Sequence, residues 1–534
     1  MDSQLRADQI GTAAERDQQI AVPNRPIVRR GVRFRKVGDT VYLDGSDRPQ
    51  VFSGSFAREA LATVVSTCDG SRDHEAIALA TGIELDFVHK CLALLWASGA
   101  IEEASAADLD TPRSLSVFLS RVGNSTGANA SWVDAASKLK STPVSLSGDP
   151  ALVAAATKAL AGVCQVEPAN ASPDAILVFL ETVSTGSPAE AQGLVASGKR
   201  FLRVRADSKR IHVGPYLDRA ISPCYSCATS SDDALDGGVP SELVDLVAGV
   251  AAHHIVSIIS RACISHLPMD TCVISTSTLA STFRPIVTLP GCPDCSFSVG
   301  PTAFVAPVGA KYEASVALPP RQFLSPRDHQ AHYYMGNQRL QTQFKTWPSR
   351  AHTALPAFEL DVLPHASAEP AYGNLSPEAL SLILGASFGI DASRSTPDRV
   401  KRWTASGGNI GGNTAYVVLR DPSVFEPGVY AYSPTDHSLV SIAPTPPHGD
   451  APCEIVIAGD LRKTMTKYGT FGLRLAFLDA GCSLTTMRYV SERIGLACVP
   501  RDMWNDAVLL DSLPLDPLHE PIVAVIEIGD GHEK

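Results

Sequence analysis

Basic residues are the first shortage. Lysine and arginine number 45 against 56 aspartates and glutamates, a formal net charge of −11 over 534 residues. Binding a phosphate backbone needs a cationic face, so a nucleic-acid partner is excluded. Aromatic residues make up 6% of the chain, charged ones 19% and hydrophobic ones 45%, the composition of an ordinary soluble globular protein. Long apolar runs are also missing. The strongest, Leu243 to Ser260, contains Asp245 and the pair His253-His254 and barely reaches membrane-spanning length. It reads as a buried helix, and no membrane association is expected. There is no fixed-period repeat, which removes solenoids and propellers. No export leader opens the sequence, so its twelve cysteines are expected in a reducing cytoplasm. A glycine-rich phosphate loop is lacking too. The turn Leu146-Ser-Gly-Asp-Pro150 has one glycine and then a proline without an N–H, so no working nucleotide site is expected there.

What is present divides into segments, and the length allows about three domains. Residues 1–25 are polar and aperiodic and are expected to form a mobile arm. From 26 to 105 three short strands (Val32–Val37, Thr40–Asp44 and Gln50–Phe52, with Gly38-Asp39 as the first turn) precede three helical stretches. The apolar residues of those helices are Phe56 through Leu61 to Val65, then Ala76 to Ala80, then Leu85, Val88, Leu92, Leu95 and Trp96. That order is a small winged-helix pattern. After the joint Ala104–Pro112, residues 110–310 alternate strand-like and helical stretches: Leu115–Leu119, Val144–Leu146, Ala151–Leu160, Ala175–Leu180, Ala189–Ala196 and Phe201–Val204. The alternation predicts an α/β domain with a parallel sheet. Residues 311–350, with Pro319-Pro320 and Pro326, read as a connector, and residues 351–534 as a further α+β domain.

Two short cysteine steps stand out, Cys224-Tyr-Ser-Cys227 and Cys292-Pro-Asp-Cys295. Each puts two thiols on one tight turn, and together they supply the four soft ligands of a closed, structural tetrahedral zinc site. Disulfides or redox pairs are the alternatives. Four thiolates leave no open coordination position, so the site is expected to hold the fold and not to react.

Residues 26–105 resemble the PqqD-like elements that bind leader peptides in ribosomal natural-product pathways. The resemblance implies that a leader adds a strand beside Gln50, Val51 and Phe52 and packs on Phe87, Val88 and Cys91 of the last helix, a mode that draws on main-chain hydrogen bonds. A DNA-reading winged helix is the other option, but Glu84 and Asp86 give its last helix the wrong charge. The run Ile211-His-Val-Gly-Pro-Tyr216 leading to Cys224 is similar to the non-adenylating relatives of ubiquitin-activating enzymes, which carry a zinc tetrathiolate and scaffold azole-forming enzymes.

The last third contains Ser376-Pro377 opening a leucine-rich helix, then Ser406-Gly-Gly-Asn409, Gly428-Val-Tyr-Ala-Tyr432 and Lys467-Tyr-Gly469. In this order the segments resemble the nitroreductase-fold, streptolysin-type azoline dehydrogenases. What the resemblance implies is FMN, a homodimer, and conversion of azolines to azoles (thiazole or oxazole) in a precursor peptide whose leader is bound and whose rings come from a cyclodehydratase. Aromatising the ring removes a hydride, which needs a flavin, and a proton, which needs a base. The resemblance places the base at Lys467 with Tyr468, and flavin contacts at Ser367, Ser406, Gly407, Gly408, Asn409 and Arg474. That family opens its fold with an Arg-Arg-Ser-x-Arg step. The matching stretch here, His365-Ala-Ser-Ala-Glu-Pro370, keeps Ser367 but lacks the arginines, and Glu369 would repel a phosphate. Arg394, Arg399 or Arg402 would have to replace them; otherwise the unit is a degenerate, non-redox module in a leader-presenting scaffold.

Overall fold

The computed structural model describes the chain apart from residues 1–3, 47, 106–109, 169–171, 186–190, 192, 194, 197, 298–299, 304, 364–371, 445–448 and 531–534. It divides into two compact units, Leu5–Gln330 and Ala331–Lys534 with Met1–Gln4.

The first unit starts with a difference from expectation. Residues 1–25 do not form only an arm, because Ala7–Ala14 is a helix whose Ile10 is fully buried. It packs against the helix Leu85–Ala97. A Cβ built on Gly11 would come within 2.5 Å of Lys90 Cγ, so the two backbones meet at a glycine. The strands Arg33–Val37, Thr40–Asp44 and Gln50–Phe52 form a three-stranded antiparallel sheet with Gln50–Phe52 at an edge. Val37 pairs with Thr40 across the Gly38-Asp39 turn. The first expected helix is broken into Gly54–Glu59 and Leu61–Thr67, and His74–Thr81 follows. A second, two-stranded sheet pairs Pro26–Val28 with Ile101–Glu103. A helix before the three strands and a strand pair around them are additions to the order expected from the sequence.

A buried ion pair ties that strand pair to the helices Arg113–Val122 and Trp132–Ser141. Arg29 Nη1 donates to Glu102 Oε2 at 3.1 Å and to the Ser120 carbonyl at 2.8 Å. Glu102 also accepts from the Ser120 hydroxyl at 2.5 Å and from the Trp132 N–H at 3.1 Å. Both oxygens of this buried carboxylate accept hydrogen bonds, three in all, the condition under which such a pair is tolerated.

The α/β part contains a seven-stranded sheet in the order Ser281–Pro285, Asp270–Ser275, Arg210–Leu217, Phe201–Ala206, Ile176–Glu181, Val144–Gly148, Val166–Glu167. The last four in this order run parallel, and from Phe201–Ala206 onward the pairings turn antiparallel. The expected parallel sheet is thus half of a mixed one. Leu115–Leu119 lies in the helix Arg113–Val122 and is not a strand. The helix Val244–Ser260 packs on Pro150–Leu160 and buries Val247, Ala251 and Ile255 in the core over this sheet. By length and mean hydropathy (1.7), the stretch Ser241–Ser260 would also pass for a membrane span. At the turn in question Asp149 accepts from the Ala151 and Leu152 N–H groups and from the Thr182 hydroxyl. The helix N-terminus is already occupied by the chain's own carboxylate.

The second unit is built on a seven-stranded antiparallel sheet ordered His352–Ala354, Ser438–Ala443, Gly428–Ser433, Asn413–Leu419, Cys453–Gly459, Ile522–Asp530, Leu496–Pro500. One face is covered by the helices Pro377–Phe388 and Phe471–Ile494, with Leu380, Ile383, Ala476 and Met487 in the core. Ser376 caps the first of these through the Ala379 N–H at 3.2 Å, with Pro377 in its first turn. The other face packs under Trp347, Trp504, Leu509 and Leu513.

Candidate functional site

The four cysteines of the two short steps converge. Cys224 caps the helix Tyr225–Thr229, and Cys292 and Cys295 lie on the loop after the strand Ser281–Pro285. The Sγ atoms of Cys224, Cys227, Cys292 and Cys295 all lie within 4.8 Å of one another. The closest pairs are Cys224–Cys292 at 3.6 Å and Cys227–Cys295 at 3.5 Å. A disulfide needs about 2.05 Å, and all twelve cysteines are free. A tetrahedral ion with bonds of about 2.3 Å would hold its sulfurs about 3.8 Å apart, so the donor set fits one metal ion. Cys227 Sγ also accepts from the Leu289 N–H at 3.2 Å, an outer bond of the kind that orients a ligand.

The residues assigned to peptide contact do not share one surface. Val51 and Phe87 are exposed, while Phe52, Val88 and Cys91 are buried in the core. Val88 lies four and seven residues before Leu92 and Leu95, on the same inward stripe of its helix. Phe52, Val88 and Cys91 are thus corrected to core residues. The outward features are the edge strand Gln50–Phe52, with Val51 exposed on it, and Phe87 on the helix.

Lys467 and Tyr468 end the helix Leu461–Tyr468, which Gly469 (φ +55°) separates from the helix Phe471–Ile494. This extra helix had not been expected ahead of the motif. The turn Ser406–Asn409 comes to the same place. A Cβ built on Gly408 (φ +60°) would sit 2.4 Å from Tyr468 Oη and 2.7 Å from Lys467 Nζ, so any larger residue there would displace both groups. Burial lowers the Lys467 amine below the ordinary lysine range. Burial, and then the Asp479 charge, raise the Tyr468 phenol. Lys467 Nζ lies 5.1 Å from the Tyr468 ring centroid.

The turn itself is held from behind. Gly407 N–H donates to Asp479 Oδ1 at 2.8 Å, and Gly411 N–H donates to Ser406 Oγ at 2.9 Å. Asn409 Nδ2 is used on Gln341 Oε1 and the Val400 carbonyl, at 2.8 and 2.7 Å. Ser406 and Asn409 therefore shape the loop with their side chains. Arg474 is half-buried on the long helix. Ser367 lies outside the described residues.

Two cavities flank this loop. One is lined by Ser387, Phe388, Arg402, Ser406, Asn413 and Asp479. The other, slightly larger, is lined by Phe344, Lys345, Phe388, Arg402, Asn413 and Lys463, among others. Lys467 and Tyr468 stand at Gly408, outside both linings. Asp479 Oδ2, Asn413 Oδ1, Ser387 Oγ and Arg402 Nε are buried here without a hydrogen-bond partner among the described residues, the mark of a site built for something else to bind. Lys463 was missed from the sequence. Its signal was Asp460, which caps the helix by accepting the Lys463 N–H at 3.0 Å and so turns the side chains at 463 and 467 to one face.

No family model matches the chain, and no curated protein sequence matches it. Among solved structures it is similar to a heterocyclase in complex with substrate and cofactor, at 17% identity and a TM-score of 0.39, over 51% of this chain and 39% of that one. It is similar to Escherichia coli MccB at 11% identity and a TM-score of 0.41, over 52% of this chain and 98% of that one. A putative nitroreductase from Anabaena variabilis aligns at 20% identity and a TM-score of 0.29, over 36% of this chain and 41% of that one. The chain thus spans about two fifths of the length of that heterocyclase and of that nitroreductase. At these identities and TM-scores, function is read from the chain's own residues.

Proposed function

We propose that this chain is a flavin-dependent peptide-modifying enzyme that oxidises azolines to azoles in a ribosomal precursor peptide. The observation that supports it most is the meeting of Lys467 and Tyr468 on Gly408, where a partly buried amine with no hydrogen-bond partner among the described residues stands over a glycine turn. The motif order Ser406-Gly-Gly, Gly428-Val-Tyr, Lys467-Tyr-Gly adds its resemblance to azoline dehydrogenases.

The residues fit an FMN group in the sense that counts for a polar ring system with a charged tail. Unpartnered acceptors (Asp479 Oδ2, Asn413 Oδ1) and an unpartnered donor (Arg402 Nε) line the two hollows beside the glycine turn. A bound flavin supplies the hydride acceptor that no side chain provides. The chain supplies the rest. Lys467 takes the ring proton on Nζ, and burial favours the neutral amine that this requires. Tyr468, held protonated by burial, offers its hydroxyl beside that amine. Asp479 fixes the Gly407 peptide, and so the loop on which the pair closes.

The other two parts serve presentation. The leader adds a strand to the open edge Gln50–Phe52, and holding it there raises the effective concentration of the core peptide. Zinc on Cys224, Cys227, Cys292 and Cys295 pins the scaffold. A cyclodehydratase must supply the azoline, and a homodimer is the working form. The second reading, a non-redox leader-presenting scaffold, is favoured by the missing arginines at His365–Pro370.

The purified protein decides between the two readings. Flavin absorbance in the protein, and loss of two mass units per ring in an azoline peptide, are expected; Lys467→Ala should keep the flavin and stop the mass loss. A protein that takes up no FMN on reconstitution refutes the enzyme reading and leaves the scaffold.

A further inference from the structure

The larger of the two cavities is cationic, and the proton chemistry above does not use its charges. Lys345, Arg402 and Lys463 line it against one carboxylate, Asp460. Lys345 is already neutralised by Glu520 and donates to the Tyr416 hydroxyl at 3.0 Å. Asp460 is engaged in capping its helix. Arg402 and Lys463 differ, since among the described residues neither has a carboxylate at ion-pair distance. Main-chain carbonyls hold both. Arg402 Nη2 donates to Gln341 and Ile410, at 3.0 and 3.2 Å. Lys463 Nζ donates to Gln343 and Gly411, at 2.5 and 3.1 Å. Both cations stand over the Phe344 ring, at 5.2 and 5.7 Å from its centroid.

Donor capacity is left over on each. An ammonium has three N–H groups and two are used here; the guanidinium keeps its buried Nε without an acceptor. Two desolvated positive charges side by side are costly. Burial, and then the Arg402 charge, push Lys463 down to about 8, and burial pushes Arg402 down to about 10. A doubly charged anion between them would satisfy the free donors and cancel the repulsion.

We infer that Arg402 and Lys463 form a phosphate-monoester site, the phosphate of the proposed flavin being the ligand it takes. The pair supplies two positive charges to a group carrying two negative ones, in the unit whose expected arginine step is absent. The other candidate replacements do not suit, because Arg394 is exposed and paired with Asp391 and Arg399 is exposed. Assigning the phosphate to a flavin rests on the function proposed above. The anion site itself does not.

The test titrates FMN and riboflavin, which differ only in the phosphate, into the full chain and into Arg402→Met and Lys463→Met, following flavin fluorescence. The expected result is tighter binding of FMN than of riboflavin, and a loss of FMN affinity of about tenfold to a hundredfold in each variant that exceeds any loss of riboflavin affinity. FMN affinity unaltered in both variants, or an equal loss for both flavins, overturns the site. If either variant fails to fold, Arg402→Lys, which keeps the charge and loses the fork, carries the same comparison and should give a smaller, FMN-only loss. A wild-type chain that binds neither flavin removes only the flavin reading. Broadening of the ³¹P resonance of inorganic phosphate by the wild type, lost in the variants, then upholds the site, and no broadening by the wild type overturns it.

Discussion

Asp479 accepts the backbone N–H of Gly407 through Oδ1 at 2.8 Å and leaves Oδ2 buried without a partner. The side chain is 5% exposed, and burial raises its pKa. One carboxylate thus fixes the loop with one oxygen and keeps the other available to the smaller cavity. Asp479→Ala should cost about 1–3 kcal/mol by stranding the Gly407 N–H, and Asp479→Asn, which can still accept through its oxygen, should cost less. Urea unfolding of the two variants measures the difference.

Lys463 gives the second unit a pH signature. Its folded pKa is about 8, against 10.5 for a lysine in water. Between those values the unfolded chain binds a proton that the folded chain does not, so stability contributed by this group rises with pH from about 8 to 10.5. The slope is at most about 1.4 kcal/mol per pH unit. Subtracting the unfolding curves of Lys463→Met from those of the wild type isolates it from other titrating groups. A flat difference across that window would remove the buried-cation description. Saturating phosphate, by favouring the charged amine in the folded chain, should raise the lower edge of the window and so narrow it.

In the first unit the Arg29–Glu102 pair has side chains only 2% and 1% exposed. Glu102→Leu leaves a buried guanidinium without its partner and should destabilise by about 3–5 kcal/mol. Replacing both residues with apolar ones should cost less than the single change. A double-mutant cycle by chemical denaturation checks this order, and an additive result would contradict the pairing.

Cys227 is 3% exposed and sits within reach of three other sulfurs. Cys227→Ser, or removal of metal by a strong chelator, should lower the stability of the first unit by several kcal/mol; small zinc domains lose on the order of 10 kcal/mol. Metal analysis of the purified protein should give one zinc per chain. A Ser variant that keeps a full complement of metal and an unchanged melting curve would show that Cys227 is not a ligand.

How far these features could be read in advance depended on whether the signal was local. Gly38-Asp39 between two alternating stretches and Ser376-Pro377 before a leucine stripe are short-range signals with one stereochemical solution, and the structure has both. Leu115–Leu119 is too short an apolar run to separate strand from helix. The spacing of Leu115, Phe118, Leu119 and Val122, at i, i+3, i+4 and i+7, was the discriminating pattern. Ala7–Ala14 is held in place by Leu85–Ala97, a partner that a window of twenty residues does not contain. Val88 and Cys91 were placed on a binding face by resemblance, although Val88 lies on the stripe that buries Leu92 and Leu95. The cysteine steps were legible because each half is complete in four residues. Arg402 and Lys463 come together across 61 positions through carbonyls of a third segment, Gln341–Gln343, and no spacing encodes that.

The strand Ile522–Asp530 lies between Cys453–Gly459 and Leu496–Pro500 in its sheet. During synthesis Cys453–Gly459 has one flank bare, and Leu496–Pro500 has nowhere to attach, until residues near 530 clear the ribosome. Until then a row of unpaired amides and carbonyls on that edge is open to pairing with neighbouring nascent chains.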